Sequence, residues 1–189
     1  MTPLSALTMA EKYLRTAREL SSMIVRSGNR SSLGSSRKLS PAEVDRRTRR
    51  SDTNLGPPLL FNFYHGIELC LKGHALGQKL KTSKTHKISS LLSALQATPH
   101  NCALLKELNS WIPPPASSTI GKFLTINSIT IDDWYQALKY PSFTNGQQID
   151  HFSLKYGGAS ALKFWKSLEV SSTVLIRESV LCTRASGYA

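Results

Sequence analysis

His65, Glu68 and Lys72 stand three and four residues apart in the segment PPLLFNFYHGIELCLKGHALGQKLKTSKTHKISSLL, residues 57–92. On a helix that spacing projects all three side chains from one face. An imidazole, a carboxylate and an ammonium placed together have two uses. As a ligand site, Lys72 holds a phosphate, Glu68 orients Lys72 or a sugar hydroxyl, and His65 gives or takes a proton. As a structural bridge, Glu68 and Lys72 pair within a bundle, Glu68 leading by four in the favourable order, and His65 caps a neighbouring carbonyl.

Thr85 and His86 open the next helical stretch, expected over Lys87 to Leu95. The free amides of a helix start attract anions, so Lys84, Thr85, His86 and Lys87 could contact a phosphate. Thr85 could equally serve as a plain cap.

These groups need rods to hold them, and helical periodicity dominates the chain. A first helix is expected from Met9 to about Val25, begun by Thr8 and Glu11 as a capping pair, with Leu14, Ala17, Ser21 and Ile24 or Val25 in one stripe. A Ser-, Gly- and Arg-rich stretch follows to Gly56 and reads as a long exposed loop, in which Ser40-Pro41-Ala42-Glu43 could start a short helical turn. The second helix is expected to begin at Pro57 or Pro58, where proline is tolerated, and to bury Leu60, Phe63, Ile67 and Leu71. Gly66 and Gly73, seven residues apart, indicate close approach by a neighbouring helix or a ligand. A fourth helix is expected over His100 to Trp111, stopped by Pro113, Pro114 and Pro115. Residues 116–130 read as Ser- and Thr-rich, with Phe123, Leu124 and Ile126 extended. Thr130 and Asp133 then start a brief helix, IDDWYQALK, leading to Tyr140-Pro141 and an Asn145-Gly146 turn. The last helix is expected from Ala159 to Cys182, burying Leu162, Trp165, Leu168, Leu175 and Ile176. The expected fold is all-α: one domain over residues 1–189, an up-and-down bundle of four or five helices with a basic loop after the first and an insertion before the last.

The 24 Lys and Arg outnumber 12 acids, a net charge of +12. Half of that surplus lies in residues 26–50, where eight basic residues face only Glu43 and Asp45. Arg37, Lys38, Arg46, Arg47, Arg49 and Arg50 therefore form the expected electrostatic surface for RNA, DNA, a nucleotide or an acidic protein partner. The alternative is a solvated loop whose charge serves solubility.

Several classes are set aside. No apolar run approaches the roughly 20 residues that span a bilayer, and the N-terminus lacks a basic leader, so a cytoplasmic protein with no membrane association is expected. Cys70, Cys102 and Cys182 have no metal-site spacing and read as reduced core thiols. There is no Gly-rich phosphate loop, His-Glu-x-x-His helix or Gly-x-Ser-x-Gly elbow. With so few acids, a carboxylate-rich metal site is not expected, and no cofactor is expected either.

Three segments carry a resemblance: HGIELCLKGHAL (65–76), KTHKISSLLSAL (84–95) and LKYPSFTNG (138–146). In that order they resemble the HEPN superfamily, the nucleotide-binding domain of higher eukaryotes and prokaryotes. The matching features are its Glu-x-x-x-Lys helix, its Thr-His start to the following helix and its Tyr-Pro segment ahead of the final helix. The resemblance spans most of the chain. It implies a helical bundle, commonly a homodimer, linked to RNA or nucleotides in bacterial defence or toxin–antitoxin systems. It also draws attention to Lys139 and Tyr140, which could clamp a phosphate and a base or form an ordinary turn. Many family members are metal-independent ribonucleases with an Arg five to seven residues before a His. None of His65, His74, His86, His100 and His151 has such an Arg, so no catalytic residue is assigned. The leading expectation is a module that binds RNA or a nucleotide. The alternatives are a diverged ribonuclease toxin using His65 or His86, and a scaffold for an acidic partner.

Overall fold

The computed structural model describes residues 1–29, 37–80, 86–98, 103–139, 149, 154, 158–185 and 187. Among them there are eight helices and no strand: α1 (Pro3–Arg26), α2 (Pro41–Thr48), α3 (Asp52–Gly77), α4 (Ile88–Gln96), α5 (Ala103–Asn109), α6 (Thr119–Asn127), α7 (Ile131–Ala137) and α8 (Gly158–Ala185). The all-α class stands; the number of helices exceeds the four or five expected.

Three long helices form the frame. On α1 the buried stripe Ala6, Leu7, Ala10, Leu14, Ala17, Ser21 and Ile24 repeats every three or four residues. Its small members let the backbones come close. A Cβ on Gly73 would fall 2.6 Å from Leu7, and one on Gly66 2.8 Å from Leu14. The two glycines therefore serve close helix packing. Because Leu7 faces Gly73 while Leu14 faces Gly66, α1 and α3 run antiparallel. On α8, Trp165 lies against Ser21, whose hydroxyl donates to the Trp165 carbonyl, and Ser179 lies against Cys70 and His74. Thus α8 is antiparallel to α1 and parallel to α3.

A buried polar staple ties one end of this frame. Asp52 Oδ2 accepts from Asn29 Nδ2 at 2.7 Å and from Trp165 Nε1 at 2.9 Å, while the Asp52 amide donates to Asn29 Oδ1 at 2.9 Å. The start of α3 is thus fixed to the end of α1 and to α8.

Several boundaries differ from expectation. Helix α1 begins six residues early because Thr2 and Ser5, not Thr8 and Glu11, form the capping box, with Pro3 just inside. Ser40 and Glu43 do form a capping box, and the turn they start extends into α2, so the segment from Ser27 to Gly56 is only in part a loop. Pro57 and Pro58 lie inside α3, whose first turn is already built from Asp52, anchored as described. Residues 119–127 are helical, not extended. Ser118 caps α6 by accepting from the Gly121 amide, and Ile120, Phe123 and Leu124 supply a buried face. Thr130 and Asp133 cap α7 as expected. Helix α5 is described only from Ala103 onward, and Cys102, Tyr140-Pro141 and Asn145-Gly146 lie outside the described residues. No described helix is long and apolar enough to cross a membrane.

Candidate functional site

Glu68 sits midway along α3, its side chain only 2 % exposed. A buried carboxylate requires partners, and three elements provide them. From its own helix, Lys72 Nζ donates to Oε1 at 2.6 Å. From the approach to α4, His86 Nδ1 donates to the same oxygen at 2.8 Å. From α7, the Tyr135 hydroxyl donates to Oε2, and Lys139 Nζ lies 3.6 Å from that oxygen and 4.2 Å from the centre of the Tyr135 ring.

His65 joins through Tyr135. Its Nδ1 lies 2.8 Å from the Tyr135 oxygen and 3.5 Å from Glu68 Oε2, so the hydroxyl is the closer contact. Since the phenol gives its hydrogen to Glu68, its oxygen accepts from His65 Nδ1–H. The imidazole is also packed on two sides: Phe61 stacks on it at 5.3 Å, and Tyr13 of α1 meets it edge-on at 4.5 Å. Both histidines spend Nδ1 inward, which leaves each Nε2 as the atom available to a ligand.

Local sequence explains the placement. Trp134 of α7 is fully buried against Tyr64 and Phe123, which turns the adjacent Tyr135 toward α3. Asp132 accepts from the Ser89 amide at 3.1 Å and from the Ser89 hydroxyl, clasping α7 to the start of α4. Gln136 Nε2 reaches the His86 carbonyl at 3.5 Å. The α4 N-terminus is therefore occupied by a protein carboxylate. Lys87 holds the cap position without a side-chain cap bond, and His86 turns to Glu68. The expected phosphate contact at this helix start is replaced by Asp132; Lys84 and Thr85 lie outside the described residues.

Burial alone would raise the Glu68 pKa. The nearby His65 and the donors Lys72, Tyr135 and His86 outweigh it and hold the carboxyl far below the ordinary carboxylate range. Burial, and then the bond to Glu68, push the Tyr135 phenol well above its usual value, so it remains a donor. One carboxylate thus serves two lysines, a surplus of one positive charge even with both imidazoles neutral. The cluster opens to solvent at His86, whose side chain is 60 % exposed.

Of the expected ligand-binding residues, His65, Glu68, Lys72, His86 and Lys139 converge on this one place, and Tyr140 lies outside the described residues. His65 bonds a phenol rather than capping a carbonyl. Tyr135, Tyr13 and Phe61 were not anticipated. Tyr135 had a signal, since it precedes Lys139 by one helical turn. Tyr13 had none, because only the packing of α1 on α3 places it.

The basic segment is a separate feature. Arg37, Lys38, Arg46, Arg47, Arg49 and Arg50 are exposed, and Arg37 pairs with Glu43. Arg49 and Arg50 adjoin the start of α3 at Asp52, about 24 Å along the helix axis from Glu68 at 1.5 Å per residue. A single hollow shared by Arg49, Arg50 and the Glu68 cluster is therefore ruled out. Among the described residues no group of three or more His, Cys, Asp or Glu could hold a metal ion. The chain matches no family model, no curated protein and no solved structure.

Proposed function

We propose that this protein is a helical module that binds RNA or a nucleotide, in keeping with a HEPN-like bundle in a bacterial defence or toxin–antitoxin setting. The observation that carries the reading is the Glu68 cluster, in which two lysines and two histidines are organised by one buried carboxylate. Glu68 neutralises one cation and orients the rest, so an arriving phosphate meets pre-positioned donors and one unspent charge. The convergence of the Glu-x-x-x-Lys helix with the following His agrees with the resemblance of these segments to HEPN proteins. The exposed arginines of residues 37–50 add sequence-independent attraction. Binding of a labelled RNA by the purified protein, measured across salt concentrations, tests the reading.

One observation favours a second reading. His65 and His86 engage Tyr135 and Glu68 through Nδ1, which leaves both Nε2 atoms for general acid and base work on a phosphodiester. Incubation with labelled RNA in EDTA decides it: cleavage lost in both His65→Ala and His86→Ala establishes a metal-independent ribonuclease, and intact RNA leaves a binding module. As a homodimer, or with an acidic protein on the arginine surface, the module would gain further contacts; sedimentation of the purified protein reads out both.

A further inference from the structure

The end of α5, the start of α6 and one face of α8 border an open cavity of about 520 Å³, lined by no residue of the Glu68 cluster. We propose that it is a binding site for a small organic monocarboxylate with an apolar body.

The walls specify the body. Trp111, Phe164 and Ile120 are nearly buried yet border the space, presenting ring and aliphatic surface. The volume falls in the usual range for small-molecule pockets, about 300–1,000 Å³.

The polar groups specify the head. Ser171 is more than nine-tenths buried and borders the cavity, and its hydroxyl has no hydrogen-bond partner among the described residues. Its α8 neighbours Ser167 and Ser172 turn their hydroxyls back to the carbonyls of Phe164 and Leu168. Ser171 does not, so its hydroxyl, at the solvent-reached wall of the cavity, is left to bond a ligand. The start of α6 adds donors. Ser118 satisfies the Gly121 amide, while the amides of Thr119 and Ile120 and the Thr119 hydroxyl make no bond within the described residues. Lys163 lines the same space and forms no ion pair there. It is the sole charged residue of the lining. One cation among donors matches a single negative charge, and the apolar walls disfavour a dianion. Phosphate monoesters are therefore the poorer fit.

The test titrates the full-length protein with octanoate, following tryptophan fluorescence, to which Trp111 contributes, and thermal melting. Octan-1-ol and octylammonium serve as matched probes. Saturable binding of octanoate, with a raised melting temperature, is expected. Lys163→Met, at an exposed position, should weaken it about tenfold or more, as for loss of a hydrogen bond to a charged group. Ser171→Leu should fill the space and abolish it. RNA affinity should be unchanged in Lys163→Met, which separates this site from the Glu68 cluster. The proposal is overturned by absence of a saturable response at millimolar octanoate, by octan-1-ol binding as well as octanoate, or by unaltered affinity in Lys163→Met.

Discussion

Tyr135 of α7 gives its phenolic hydrogen to Glu68 of α3, sixty-seven residues earlier in the chain. The same oxygen receives the His65 Nδ1 hydrogen at 2.8 Å, so a single hydroxyl aligns the carboxylate and the imidazole. Five side chains from three elements depend on that carboxylate.

Replacing Glu68 by Gln leaves Lys72 and Lys139 beside an uncharged amide in a mostly buried setting. Removing one partner of a buried ionic network costs about 3–5 kcal/mol, which for a chain of this size lowers the melting temperature by roughly 10 °C. The pH dependence carries a second signature. The folded carboxyl titrates below its unfolded value, so its stabilisation is complete above the ordinary carboxylate range and is lost as pH falls through and below it. Urea melts taken from pH 7 down to pH 2 should show a steeper decline below pH 5 in the wild type than in Glu68→Gln.

His74 is buried beside Ser179, and burial lowers its pKa to about 4. The unfolded chain binds a proton more readily than the folded one between about 6.5 and 4, so stability present above 6.5 is lost as pH falls through that window. The full effect is of order 3 kcal/mol. His74→Gln should flatten the stability profile between pH 6.5 and 4, leaving the more acidic decline due to Glu68 in place.

A methyl group on Gly73 would meet Leu7 at 2.6 Å and the Pro3 carbonyl at 3.2 Å. Alanine gains about 1 kcal/mol in helix propensity, yet overpacking costs about 1–3 kcal/mol. Gly73→Ala should be destabilising, and combining it with Leu7→Ala should recover part of the loss in a double-mutant cycle of chemical denaturation. A stabilised Gly73→Ala would show that α1 and α3 are not packed this closely.

Asp52→Ala should be among the most damaging single changes. It strips buried acceptors from Asn29 and Trp165 together and detaches the start of α3 from both neighbouring helices. Buried donors left without acceptors cost about 1–3 kcal/mol each. Asp52→Asn, which keeps one acceptor oxygen, should lose less. Denaturant midpoints of the two variants provide the comparison.

The helical frame was legible in the sequence because its signal is local: apolar residues every three or four positions, glycines on one face, and Thr130 with Asp133 before a short apolar run. Of the boundaries that differed, the start of α1 followed a local capping box, Thr2 with Ser5, while those of α3 and α6 were set by tertiary contacts. Asp52 starts α3 before its prolines because Asn29 and Trp165 hold it, and α6 gains from burial what its Ser- and Thr-rich flanks conceal. For the candidate site, the His65, Glu68 and Lys72 face followed from spacing alone. The approach of His86 depends on the clasp between Asp132 and Ser89, and Tyr13 enters only because α1 packs antiparallel on α3. Neither relation leaves a trace in local pattern.

The central claim is that the cations gathered by Glu68 receive a phosphate. Fluorescence anisotropy of a short labelled single-stranded RNA, with wild type and Lys139→Met compared at about 50 and 200 mM salt, tests it most directly. The account predicts that wild-type affinity falls steeply with salt and that Lys139→Met, folded by circular dichroism, binds several-fold more weakly at both concentrations. Affinity indifferent to salt, or equal in the two proteins, would contradict it.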